Sequence, residues 1–242
     1  MPPHDHAPDR AQEPALNATA SPVLVEETRG ALVEVIHRGR AVVVAPSGGV
    51  LLSWGDPELP VYPRSSIKPL QAIPLVETGA AEAFGLGDAE IALACASHRG
   101  ERRHVEAVAS WLKRIGLSER DLECGAHAPY DAGAAAALAQ AGEKPSALHN
   151  NCSGKHAAML TCALHKGERT RGYIERTHPV QQRILGILEQ LSGAELGHAP
   201  SAIDGCGIPV YGMGLGNLAL AFARFADPVR LPDARIRAIR RI

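Results

Sequence analysis

The sequence predicts an α+β fold, an antiparallel sheet with helices, on three observations. β-rich runs crowd the first part of the chain, helical patterns fill the rest, and strand and helix never alternate as repeated βαβ units. The runs are residues 23–26, 31–36 and 41–45, and the whole stretch 22–54 is strand-like. Arg29-Gly30, His37-Arg38-Gly39 and Pro46-Ser47-Gly48-Gly49 punctuate it, and spacers that short indicate antiparallel hairpins.

After Ser65 the pattern turns helical. Pro69 suits a first helical turn, whereas Pro74 is expected to kink or end that helix early. Asp88 is placed to cap a segment running to about Ala96. Residues 101–115 are amphipathic and stop at Gly116, the residue type favoured just past a helix end. Residues 131–141 are nearly all alanine and helix-prone, and segments 153–165, 179–191 and 215–225 follow. The final helix, 232–242, carries Ile236, Ile239 and Ile242 along one face and stops with no cap. It reads either as a solvated basic helix or as the broken end of a longer sequence.

Composition narrows the function classes. The 242 residues are 45% hydrophobic and 21% charged, ordinary for a soluble globular protein of one large domain or two small ones. A formal net charge of -1 gives no electrostatic case for a nucleic-acid or membrane partner. No apolar run approaches the roughly 20 residues that a membrane helix needs. Residues 1–20 lack the apolar middle of a signal peptide and read as a disordered leader. The five cysteines are odd in number and widely spaced, which argues for reduced thiols in a cytoplasmic setting. Cys95 and Cys162 sit in apolar runs, as small buried hydrophobes do; Cys152 and Cys206 lie in loops dense in Gly and Asn.

Four stretches offer chemistry. Ser65 and Lys68 stand three apart, so a helix starting there would bring their side chains together. A serine needs a base to become a nucleophile, and a lysine is a base only when burial or nearby positive charge lowers its pKa. The same spacing recurs at Ser110 and Lys113 in an ordinary amphipathic helix, so a capping serine beside a solvated lysine is the competing reading. The second stretch, Ser97-His98-Arg99-Gly100-Glu101, closes an apolar helix with polar groups. They either satisfy the helix dipole or line a cleft in which Ser97 relays a proton.

The third stretch is His149-Asn150-Asn151-Cys152-Ser153-Gly154-Lys155-His156. A helix start and Lys155 would favour thiolate at Cys152, and the asparagines can bond an amide or carboxylate. An Asn-Asn turn capped by Ser153 is the plainer reading, and Cys152 as a thiol nucleophile with His149 or His156 as base is also permitted. The fourth is Asp204-Gly205-Cys206-Gly207-Ile208-Pro209, where flanking glycines suggest an exposed, bent position for Cys206. Two thiolates can hold zinc with water and another ligand, although no Cys-x-x-Cys or His-Glu-x-x-His spacing is present.

In this order and spacing the four stretches resemble the rhizobial-type L-asparaginases, the asparaginase II family, from about residue 22 to the last residue. The Asn-Asn-Cys-Ser-Gly-Lys-His block is the most specific part and Ser-x-x-Lys the least. The resemblance implies a fold similar to serine β-lactamases and glutaminases. It implies a hydrolase converting L-asparagine to L-aspartate and ammonia, with Ser65 as nucleophile, Lys68 as its base and Ser97 in the proton network. Arg64, His98, Asn151 and Asp204 would hold the substrate. Cys152, Lys155 and Cys206 would be zinc ligands, the lysine having to be neutral to offer its lone pair. The family carries a further catalytic lysine in a glycine-rich segment beyond the position of Ile242. The expectation is therefore a domain over 21–242 that is truncated at its C-terminus and lacks one catalytic group. The expected partner is a small-molecule substrate, with a homodimer allowed. The rival readings are another Ser-x-x-Lys hydrolase, glutaminase-like, and an inactive zinc- or amino-acid-binding remnant.

Overall fold

A computed structural model of the chain describes residues 20–242, so the expected leader falls, but for Ala20, outside the described residues. The architecture is α+β. Strands β1 (Val23–Arg29) and β2 (Leu32–Arg38) form a hairpin that turns at Gly30, whose φ of 63° favours glycine. Strands β3 (Ala41–Val44) and β4 (Val50–Trp54) form a second hairpin. Two short pairs come from distant parts of the chain or close a tight turn. They join β5 (Pro60–Val61) to β8 (Met213–Gly214), and β6 (Ser201–Ile203) to β7 (Pro209–Tyr211). Instead of one expected sheet, the described residues hold four antiparallel two-stranded pairs.

The helices are α1 (Lys68–Glu77), α2 (Ala80–Ala83), α3 (Asp88–Cys95), α4 (Arg102–Arg114), α5 (Ala132–Ala141), α6 (Ser153–His165), α7 (Pro179–Ser192), α8 (Leu215–Ala226) and α9 (Asp233–Arg241). Helix α6 is the centre. Every residue from Ser153 to Ala163 is buried, as expected of a helix surrounded on all sides, and α1, α3, α4 and α7 pack around it. Trp111 of α4 is fully buried and donates its indole N–H to Thr161 Oγ1 on α6 at 3.0 Å. Gly154 sets how closely α3 and α6 meet, because a Cβ there would stand 2.5 Å from the Leu93 carbonyl oxygen. That close crossing lays the loop after α3 beside the start of α6, where the candidate site forms. No helix among the described residues is long and apolar enough to cross a membrane.

Three expectations are corrected. Pro74 lies inside α1, which continues to Glu77. Burial of Leu70, Ile73 and Leu75 outweighs the one backbone bond that proline forfeits, and Thr78 returns both N–H and hydroxyl to the Pro74 carbonyl. The α3 cap is Gly87, not Asp88; its N–H is held by Glu90 Oε2 at 2.9 Å. Helix α9 is not solvated. It packs on α1 with Ile239 buried and Arg235 paired to Glu77 at 3.0 Å.

Candidate active site

A short 3₁₀ turn, Arg64–Ile67, leads into α1, and the Lys68 N–H donates to the Ser65 carbonyl. Residues three apart eclipse in such a turn, so Ser65 and Lys68 share a face. Ser65 is exposed, and its hydroxyl makes no hydrogen bond among the described residues. Lys68 is fully buried, which excludes the solvated-lysine reading. Its Nζ donates to Ala96 O at 2.7 Å, Ser97 Oγ at 2.8 Å and Asn151 O at 3.3 Å. The amine thus spans from α1 to the loops after α3 and before α6. Burial pushes its pKa down and Lys155 adds to that, while Cys152 pulls the other way.

The residue before Ser65 is strained. Arg64 has φ 46°, the left-handed region that side-chain-bearing residues rarely adopt. Its Nε donates to Asp204 Oδ1 at 2.9 Å, which ties the turn carrying Ser65 to the loop between β6 and β7. The Asp204 side chain is only 10% exposed, the Arg64 side chain 65%, so the guanidinium remains open to a ligand.

Cys152 caps α6 and Cys206 sits on the β6–β7 turn. Asn150 holds the first in place: its Oδ1 accepts the Cys152 N–H at 2.9 Å while its Nδ2 donates to Cys124 O at 2.8 Å. The expectation of an exposed Cys206 is wrong; its thiol is buried. Gly207, at φ 89°, lets the turn close, with Gly207 N–H on Asp204 O at 2.8 Å, and the sulfur faces inward. Lys155 Nζ donates to Cys206 Sγ at 3.2 Å. The neighbouring Cys206 thiol first, with help from Lys155 and Lys68, pulls Cys152 down to about 5 against the effect of burial. Cys206 shifts up, first through its neighbour Cys152 and then through burial. Burial instead pushes Cys95 to about 11, and Cys124 and Cys162 to about 12. Among the five cysteines only Cys152 is poised as a thiolate at neutral pH.

Neither histidine expected as its base stands on Cys152; the amine beside it is Lys68. His149 Nδ1 accepts from the Ser146 N–H at 3.0 Å, and His156 stands beside Cys206. His98 is also committed internally. Its Nδ1 accepts the Gly100 N–H at 3.1 Å, so its proton lies on Nε2 and is donated to Ser153 Oγ at 2.8 Å. A substrate bond from His98 requires one of these to break. The Asn151 N–H donates to His127 Nε2 at 3.0 Å, and the Asn151 carbonyl also accepts the His98 N–H at 3.2 Å. His127 escaped the sequence reading, since it stands alone in Gly125-Ala126-His127-Ala128 with no spacing to mark it.

The buried His98 gives a pH test. Burial first, then the neighbouring His104, hold its pKa down to about 4 from 6.5. The folded value lies below the unfolded one, so stability is complete above pH 6.5 and falls as the pH drops from there toward 4. We expect a loss of about 2 kcal/mol between pH 7 and pH 5 from this one group. Urea unfolding of wild type and His98→Gln at both pH values measures it. An equal pH dependence in the two proteins contradicts the assignment.

The contacts bring all four stretches together: Lys68 reaches Ser97 and Asn151, Lys155 reaches Cys206, and Arg64 reaches Asp204. A search of the curated proteins finds no match to the chain. The family model described as L-asparaginase II matches residues 25–242, which takes in every side chain of the site. The chain therefore belongs to the L-asparaginase II family.

Proposed function

We propose that this chain hydrolyses L-asparagine to L-aspartate and ammonia through a serine acyl-enzyme. The observation that carries this reading, within an amidohydrolase family, is the buried Lys68 amine of lowered basicity lying 2.8 Å from Ser97 Oγ and one tight turn from Ser65. In its neutral form Lys68 donates two of its three bonds and turns its lone pair to Ser65 or to the Ser97 hydroxyl, so that it takes the Ser65 proton directly or through Ser97. Ser65 Oγ then attacks the side-chain amide carbon. The tetrahedral adduct collapses, the C–N bond breaks, and the nitrogen leaves as ammonia with the proton that Lys68 returns. Water attacks the resulting ester, Lys68 again taking and returning the proton, and aspartate departs. Arg64, next to Ser65 in the chain, and Asp204, bonded to Arg64, are opposite in charge and suit the carboxylate and ammonium ends of an amino acid.

Zinc belongs to the same reading, with Cys152, Lys155 and Cys206 to hold it. The donor set fits: two adjoining sulfurs, one already poised as thiolate, and an amine on the second. No group of three or more His, Cys, Asp or Glu that could hold a metal occurs among the described residues, so Lys155 has to serve and water has to complete the set. When bound, the ion would supply positive charge that orients substrate and favours a neutral Lys68.

Ammonia release from L-asparagine and from L-glutamine tests the reaction and separates asparaginase from glutaminase activity. Acid quenching during turnover, followed by peptide mass spectrometry, is expected to show an aspartyl ester on the Ser65 peptide. The direct Lys68–Ser97 bond favours a second reading with Ser97 as nucleophile, and an ester on the Ser97 peptide would establish it. No ammonia from either amide overturns both.

A further inference from the structure

His156 follows Lys155 on α6 and is fully buried, yet the hydrolysis described above makes no use of its ring. Tyr173, also fully buried, lies against it with the two rings edge-on at 5.5 Å. The Tyr173 oxygen accepts the Glu123 N–H at 2.9 Å and stands 2.7 Å from His156 Nδ1. A phenol has a single proton to give. Glu123 already donates to this oxygen, and His156 Nδ1 is the one acceptor bonded to it among the described residues. If Nδ1 carried a proton, two N–H groups would crowd one oxygen and the phenol proton would be stranded in the interior. The hydroxyl therefore donates to Nδ1, and the neutral ring keeps its proton on Nε2.

Nε2 is buried and closes no hydrogen bond among the described residues. Cys206 interacts with His156 on that side, and with Cys152 in turn. We propose that Tyr173 and His156 are positioning residues: the phenol fixes the tautomer and rotation of the imidazole, which aims an N–H at Cys206 Sγ and holds that sulfur toward Lys155 and Cys152. The arrangement is that of a buried partner orienting a metal-ligating thiolate, and its consequence for metal binding rests on the zinc reading above.

Two measurements test it. In the metal-free chain labelled with ¹⁵N-histidine, the ring signals that vanish in His156→Gln are expected to show Nδ1 as an unprotonated acceptor and Nε2 as protonated. Protonation at Nδ1 overturns the proposal whatever the metal does. Then zinc affinity by competition, and cobalt(II) as a spectroscopic probe of sulfur ligation, are compared across variants. Tyr173→Phe keeps the ring volume and is expected to weaken both ions about 10- to 100-fold, with sulfur-to-cobalt absorption recovered at saturation. His156→Gln, which can place an amide N–H near the Nε2 position, is expected to bind more tightly than His156→Leu. Variants that are folded and bind as the wild type does overturn the role. A wild type that binds neither ion removes the zinc reading, and the ring-nitrogen spectrum then decides the tautomer by itself.

Discussion

Lys68→Met is expected to lower kcat for amide hydrolysis by about 10²- to 10⁴-fold, the usual contribution of a positioned base, while leaving the fold in place. The separation of the two effects follows from the contacts. Lys68 is fully buried with its Nζ on three oxygens, and a methionine of similar length fills the same space without the amine. Ala96 O loses its amine donor, an unmet need worth about 1–3 kcal/mol. Against that, a chargeable group no longer has to be desolvated, and Asn151 O keeps the His98 N–H. The net change in unfolding free energy is expected to stay within about 2 kcal/mol, read from urea midpoints beside the ammonia assay. Lys68→Arg sharpens the test. It retains a cation among the same oxygens but cannot give up its proton, so it is expected to be as inactive as the methionine variant. A functional arginine variant would make Lys68 a source of charge and not a base.

The parts of this arrangement that were legible in the sequence are those decided by near neighbours. Helix α6 has the expected bounds, α4 ends before Gly116 at φ 76°, and α5 fills the alanine-rich segment 131–141 but for its first residue. Each depends on residues within a turn of one another. Pro74 misled because local propensity argues for a break, while the burial that overrides it comes from helices far along the chain. The spacing of Ser65 and Lys68 pointed to a direct bond, yet the long lysine side chain passes its neighbour and lands on Ser97, 29 residues away. Cys206 looked exposed because glycine signals a bend but not the direction in which the bent segment faces. His127 and Tyr173 left no trace, since their partners lie 24 and 17 residues off with no repeating interval. The family motifs supplied what periodicity lacked, namely which distant stretches belong together.

Removing both sulfurs, in Cys152→Ala with Cys206→Ala, is expected to take bound zinc from about one ion per chain to none. A structural zinc site is worth about 10–16 kcal/mol, so each of four ligands carries roughly 2.5–4 kcal/mol, and one lost sulfur should weaken binding about 10²- to 10³-fold. The single variants need not be equal. Cys152 owes its low pKa chiefly to its neighbour Cys206, so Cys206→Ala would remove a proposed ligand and also make the remaining thiol harder to ionise. Cys206→Ala should therefore cost more affinity near pH 6 than near pH 8, where protons compete less for the remaining thiol. Cys124→Ala and Cys162→Ala serve as controls, because burial keeps both thiols protonated and neither contributes a ligand. They should lose some stability and no zinc. Zinc retained at one equivalent by the double variant would place the ion elsewhere, and Cys152 would then act on the Lys68 amine by its thiolate charge alone.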